Sequence, residues 1–116
     1  MFGLFKKRVR AKRMSEVDLL KIISEKRTGI IMFGAGWCHA CKMQKPLFDD
    51  IAAAYGDDIA VGLVDTDIER NISAKFQIRS LPTIVGIQEG GVVFRREGVT
   101  PRRFLENMVV QLKKPQ

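Results

Sequence analysis

The amino-acid sequence predicts an α/β fold: a central mixed sheet of four or five strands, flanked by helices on both faces. Three observations lead there. Residues 30–33 (Ile-Ile-Met-Phe) and the stretch Thr83–Gln88 have the near-continuous hydrophobicity of strands covered on both sides. Around them lie segments whose apolar residues recur at helical spacing. Late in the chain, Glu89-Gly90-Gly91 supplies turn chemistry ahead of Val92-Val93-Phe94, so an antiparallel hairpin follows strands that otherwise alternate with helices.

The elements follow in order. Ser15, with Asp18 three residues on, resembles a capping box and starts a helix. Val17, Leu20 and Ile23 are expected to form its buried face, up to about Arg27. Thr28-Gly29 ends it ahead of the strand at 30–33. Gly34-Ala35-Gly36 breaks that strand, and a second helix begins at Cys38. Met43, Leu47, Ile51 and Tyr55 form its expected stripe, widened by Phe48 and Ala54. Pro46 removes the bond to the Lys42 carbonyl and is expected to kink this helix, which Gly56 stops.

Residues 59–65 then read as a strand, 67–76 as a short helix and Thr83–Gln88 as a third apolar strand. Thr100-Pro101 is read as an N-cap followed by proline at the first helical position. Phe104, Leu105, Met108, Val109 and Leu112 give the last helix its expected buried face. Residues 9–14 alternate poorly and supply at most a weak edge strand. Strands separated by helices imply parallel pairing with right-handed crossovers.

With 116 residues, 46% hydrophobic and 28% charged, the chain suits one domain with an ordinary core, and a disordered or collagen-like chain is excluded. The formal net charge of +7 is unevenly placed. Residues 1–14 hold six cations (Lys6, Lys7, Arg8, Arg10, Lys12 and Arg13) and no acid, leaving 14 basic against 13 acidic residues elsewhere. The expected division is therefore a basic segment at 1–14 and a nearly neutral domain at 15–116. No specific nucleic-acid partner is expected of that domain. The head reads as a solvated tail, with weak contact to an anionic membrane through residues 1–13 as its alternative, since Phe2, Leu4 and Phe5 precede the cations. It resembles the start of a signal peptide, but Glu16, Asp18, Lys21 and Glu25 interrupt any apolar region after it, so cytoplasmic residence is expected.

The chemistry sits in Trp37-Cys38-His39-Ala40-Cys41, at a strand-to-helix junction. Cysteines three apart in a first helical turn share a face and can form a disulfide with little backbone movement. The first lies where unpaired backbone N–H groups and the positive end of the helix dipole favour a thiolate. The second, one turn deeper, is placed to resolve a mixed disulfide. Geometry thus divides the labour: Cys38 attacks and Cys41 resolves.

At these residues the chain resembles thioredoxin, the family in which C-x-x-C stands beside a βαβ pattern. The resemblance spans about residues 15 to 114. Pro46 is similar to the proline inside that family's active-site helix. Arg79-Ser80-Leu81-Pro82-Thr83 resembles its cis-proline loop, and Gly98 the glycine that lets a substrate chain approach. The resemblance implies a thiol–disulfide oxidoreductase with a partner groove at Trp37, Leu81, Pro82, Gly98 and Val99. His39 and Ala40, between the cysteines, together with Trp37 and Pro82, would modulate the site. Protein or peptide disulfides would be the substrates, and a reductase, thioredoxin reductase among the candidates, the electron donor. A monomer is expected, with no cofactor beyond a redox-active Cys38–Cys41 disulfide and no metal.

Two departures stand out. The family's buried aspartate, six residues before the first cysteine, is here Met32, and its accompanying lysine is replaced by Leu63. The proton of Cys41 must leave by another route. His39 in place of the family's glycine should raise the redox potential, because a cation beside Cys38 favours the thiolate. Two other readings stand beside the enzyme: a redox-inert or weakly active binding module, and a dimer sharing a metal or iron–sulfur site through the C-x-x-C.

Overall fold

The computed structural model describes residues 9–115. The part of the basic head that holds Phe2, Leu4, Phe5 and Lys6 to Arg8 lies outside the described residues. Nine elements follow in order: β1 (Lys12–Arg13), α1 (Glu16–Ser24), β2 (Gly29–Gly34), α2 (His39–Tyr55), β3 (Ala60–Asp65), α3 (Arg70–Lys75), β4 (Thr83–Gln88), β5 (Gly91–Glu97) and α4 (Arg102–Lys113). The strands make one five-stranded sheet in the order β1-β3-β2-β4-β5. β3 runs parallel to β1 and β2, whereas β4 is antiparallel to both β2 and β5.

Strand alternation divides the core into two layers. Ile30 and Met32 on β2, with Val61 and Ile84, face Phe48, Ile51 and Ala52 of α2 and Leu105, Val109 and Leu112 of α4. Ile31 and Phe33, with Val64, Val85 and Ile87, face Leu19 of α1 and Ile72 of α3. The helices therefore cover both faces of the sheet, and β2 at its centre is buried nearly throughout. At Gly86 the sheet admits only glycine without rearrangement, because a Cβ there would lie 2.1 Å from the Phe94 ring.

The N-terminal edge is tied in more firmly than its pattern suggests. Lys12 and Arg13 pair with Gly62 and Leu63, and Ala11 is buried in the α2-side layer. Helix α1 carries the capping box: the Asp18 N–H donates to Ser15 Oγ and the Ser15 N–H to Asp18 Oδ2. Its buried face, however, is Leu19 and Ile22, while Val17 and Leu20 are exposed. Apolar residues at 17, 19, 20, 22 and 23 cover so wide an arc that spacing alone does not fix the phase.

Helix α2 shows the same rotation. It buries Cys41, Gln44, Phe48, Ile51 and Ala52, leaves Leu47 and Tyr55 half-buried, and exposes Met43 and Ala54. The last helix starts one residue later than Thr100-Pro101 implies. Pro101, with φ −61° and ψ 154°, takes the cap position and accepts from the Phe104 and Leu105 N–H groups. Thr100 is fully buried, and Phe104 is exposed rather than part of the core.

Candidate active site

Four connections meet at one end of the sheet: β2–α2, β3–α3, the turn before β4 and the loop between β5 and α4. Gly34 closes β2, and Cys38 is the N-cap of α2. Its extended backbone (φ −82°, ψ 110°) turns the sulfur back over the first helical turn, where Cys38 Sγ accepts the Cys41 N–H at 3.2 Å. Both cysteines are free thiols, and each is 6% exposed. They pack with Ala35, Ala40 and Leu81 in a small cluster apart from the two core layers.

Burial pushes the Cys41 thiol from its ordinary 9.0 up to about 11, reinforced by its contact with Cys38. At neutral pH Cys41 therefore keeps its proton until something takes it. Neither family position beneath it can do so: Met32 is part of the apolar core and Leu63 packs against it.

The remaining anticipated residues surround the thiols. Trp37 is exposed, and its Nε1 donates to Asp67 Oδ2 at 2.8 Å. His39 is exposed and Ala40 half-buried. The Leu81–Pro82 peptide bond is cis, with Pro82 buried. The Pro82 carbonyl accepts the Gly98 N–H at 2.8 Å, and Gly98 has φ +86°, a conformation open chiefly to glycine. Val99 beside it is exposed.

Sequence reasoning missed two supports. Asp67 anchors the Trp37 ring, and nothing in the pattern around it marks that role. Gln44 is wholly buried and binds Thr100 in both directions, tying α2 to the Gly98-Val99 loop. Its position on the Cys41–Phe48 face is the signal that could have revealed it. Among the described residues, no three His, Cys, Asp or Glu side chains converge on a common point suited to a metal ion.

Two reduced thiols held this close at a helix start can cycle between dithiol and disulfide with little movement of the backbone around them. A fold that presents such a pair at the edge of an open surface is that of a thiol–disulfide oxidoreductase. The family model described as "Thioredoxin" matches residues 11–111. A thioredoxin of Mycoplasmoides gallisepticum is 30% identical over 95 residues, covering 82% of this chain and 94% of that protein. One from Borreliella burgdorferi is 37% identical over 83 residues, covering 72% of this chain and 71% of that protein. The crystal structure of Malassezia sympodialis thioredoxin shares the fold, with a TM-score of 0.81 at 24% identity, covering 93% of this chain and 96% of that one. The chain belongs to the thioredoxin family, and its activity is thiol–disulfide exchange.

Proposed function

We propose that this chain reduces disulfides in protein or peptide substrates, with Cys38 as the attacking sulfur and Cys41 as the resolving one. The observation that carries this division is the Cys41 N–H donating to Cys38 Sγ at 3.2 Å, at the N-cap of α2. A backbone donor aimed at that sulfur, at the positive end of a 17-residue helix, stabilises negative charge there. Attack by Cys38 breaks the substrate S–S bond, joins Cys38 to one substrate sulfur and releases the other as a thiolate. Attack by Cys41 then breaks that mixed disulfide, forms Cys38–Cys41 and frees the second substrate sulfur. The substrate gains two electrons and the protein pair loses them.

The exposed faces of Trp37 and Val99, with Leu81, Pro82 and Gly98 between them, form the groove for the substrate chain. Its apolar character and available backbone favour broad specificity. A reductase returns electrons to the oxidised pair, thioredoxin reductase being the natural candidate, and no dissociable cofactor takes part. The protein acts as a cytoplasmic monomer. Among the described residues no helix is long and apolar enough to cross a membrane.

Insulin reduction coupled to thioredoxin reductase tests this reading. Turnover that disappears in Cys38→Ser is the expected result. Absence of turnover in the unaltered chain would leave a binding module. Retention of the full chain on vesicles of anionic lipid would show membrane contact through its basic head.

A further inference from the structure

Asp65 and Cys41 line one cleft, at a point where the β2 residue paired with Asp65 has no side chain. In the parallel β2–β3 pair, Gly34 stands opposite Asp65, one step beyond the Met32–Leu63 pair on the same face of the sheet. A Cβ on Gly34 would come within 3.1 Å of Cys41 Sγ, so the thiol rests directly over the glycine. Instead of a side chain, a cleft of about 180 Å³ opens here to solvent, with Cys41, Gly34 and Asp65 in its wall and Met32 and Leu63 below. That volume holds several waters, each of which occupies roughly 30 Å³ in the liquid.

We infer that Asp65 is the proton acceptor for Cys41 during resolution, reached through water in this cleft. The inference rests on the assignment of Cys41 as the resolving thiol. The family positions that would carry a buried acid and lysine are apolar here, and the carboxylate stands instead two residues further along β3, on the same face of the sheet. Asp65 Oδ1 is already committed, accepting the N–H groups of Asp67 at 2.9 Å and Ile68 at 3.3 Å. Those bonds hold the carboxylate in place, while Oδ2 has no protein partner among the described residues. The other charged groups at the cleft are Arg13, Lys42 and Lys45, the last bound to Asp49 at 2.8 Å. In the step itself Cys41 Sγ–H gives its proton by way of water to Asp65. The resulting thiolate attacks Cys38 Sγ, the Cys38–substrate bond breaks, and the departing substrate thiolate is protonated from solvent.

Reaction of the reduced full-length chain with dithiobis(nitrobenzoate) separates the steps. The first thionitrobenzoate is released by Cys38 and the second by Cys41. Asp65→Asn keeps an oxygen for the Asp67 and Ile68 N–H groups and removes only the acceptor. It should slow the second release by roughly tenfold to a hundredfold near neutral pH. The first release and the fluorescence of Trp37, the chain's only tryptophan, should be unchanged. The deficit should close as pH approaches about 11, where Cys41 ionises unaided. A second release equal to that of the unaltered chain at every pH overturns the inference, as does an equal slowing of both phases. Only one release from the unaltered chain would instead sink the assignment of Cys41. Should the variant fail to fold, carbon-13 titration of Asp65 in the unaltered chain decides. Its curve should shift between the dithiol and disulfide forms, and coincident curves would exclude the relay.

Discussion

Gln44 and Thr100 hold each other by two hydrogen bonds of opposite sense. The Gln44 Nε2 donates to the Thr100 carbonyl at 3.0 Å, and the Thr100 N–H donates to Gln44 Oε1 at 2.6 Å. Both residues are 0% exposed. A glutamine in the buried stripe of α2 would be costly unpaired; here it serves as a clasp between the helix that carries the thiols and the loop that carries Gly98 and Val99.

Gln44→Leu keeps the volume and removes both bonds, leaving the Thr100 N–H and carbonyl buried without partners. The expected cost is about 1–3 kcal/mol, read from urea unfolding. The freed loop should also raise KM for a protein substrate while the reaction of Cys38 with a small aromatic disulfide keeps its rate. An unchanged unfolding midpoint would show that the clasp contributes nothing.

What the sequence made legible follows from this same pair. Element types and the thiol motif were legible because strand hydrophobicity, glycine breaks and the Cys38–Cys41 spacing are local signals. The phase of each helix was not. Spacing put Met43 inside and passed over Gln44: its place on the Cys41–Phe48 face was available in the sequence, but the backbone that satisfies its amide lies 56 positions away. Phe104 was misplaced for a related reason. Its ring lies against the Arg96 guanidinium at 4.8 Å and the Arg103 guanidinium at 5.6 Å, outside the core, and a cationic partner on β5 leaves no trace in the periodicity of the helix. Asp65 and Gly34 became a pair only through the register of β2 with β3.

The raised Cys41 thiol predicts a pH signature for the reduced protein. Between the ordinary value of 9.0 and about 11, the unfolded chain loses this proton while the folded one keeps it. Stability from this group is therefore fully present below pH 9 and declines as pH rises through about 11. Comparing thermal midpoints of the reduced chain and Cys41→Ala isolates this effect from lysine and tyrosine titration. The gap between them should narrow across that window, and a constant gap would contradict the burial argument.

His39 stands exposed one residue after the attacking sulfur, where thioredoxins commonly carry glycine. An imidazole beside Cys38 would, when protonated, favour the thiolate and hence the reduced form, which makes a disulfide a stronger oxidant. A glutathione titration should give a potential above the ~−270 mV of a standard thioredoxin. His39→Ala should move it back toward that value. A potential at or below it in the unaltered chain would remove His39 as the tuning residue.

Met32 offers the sharpest test of where the resolving proton goes. It is 4% exposed, on the α2 side of the central strand. Met32→Asp restores a carboxyl beneath the thiols, at a stability cost of about 2–4 kcal/mol from lost apolar packing and burial of a polar group. Near neutral pH the new carboxyl competes with Asp65 for the Cys41 proton, so the pH profile of the second thionitrobenzoate release should shift. In the Asp65→Asn background the same change should recover most of the lost rate, because an acceptor is again present. Recovery there, with the first release unaltered, separates a proton-transfer role from a general effect on the fold. A profile identical to that of the unaltered chain would mean that proton removal does not limit resolution in this protein.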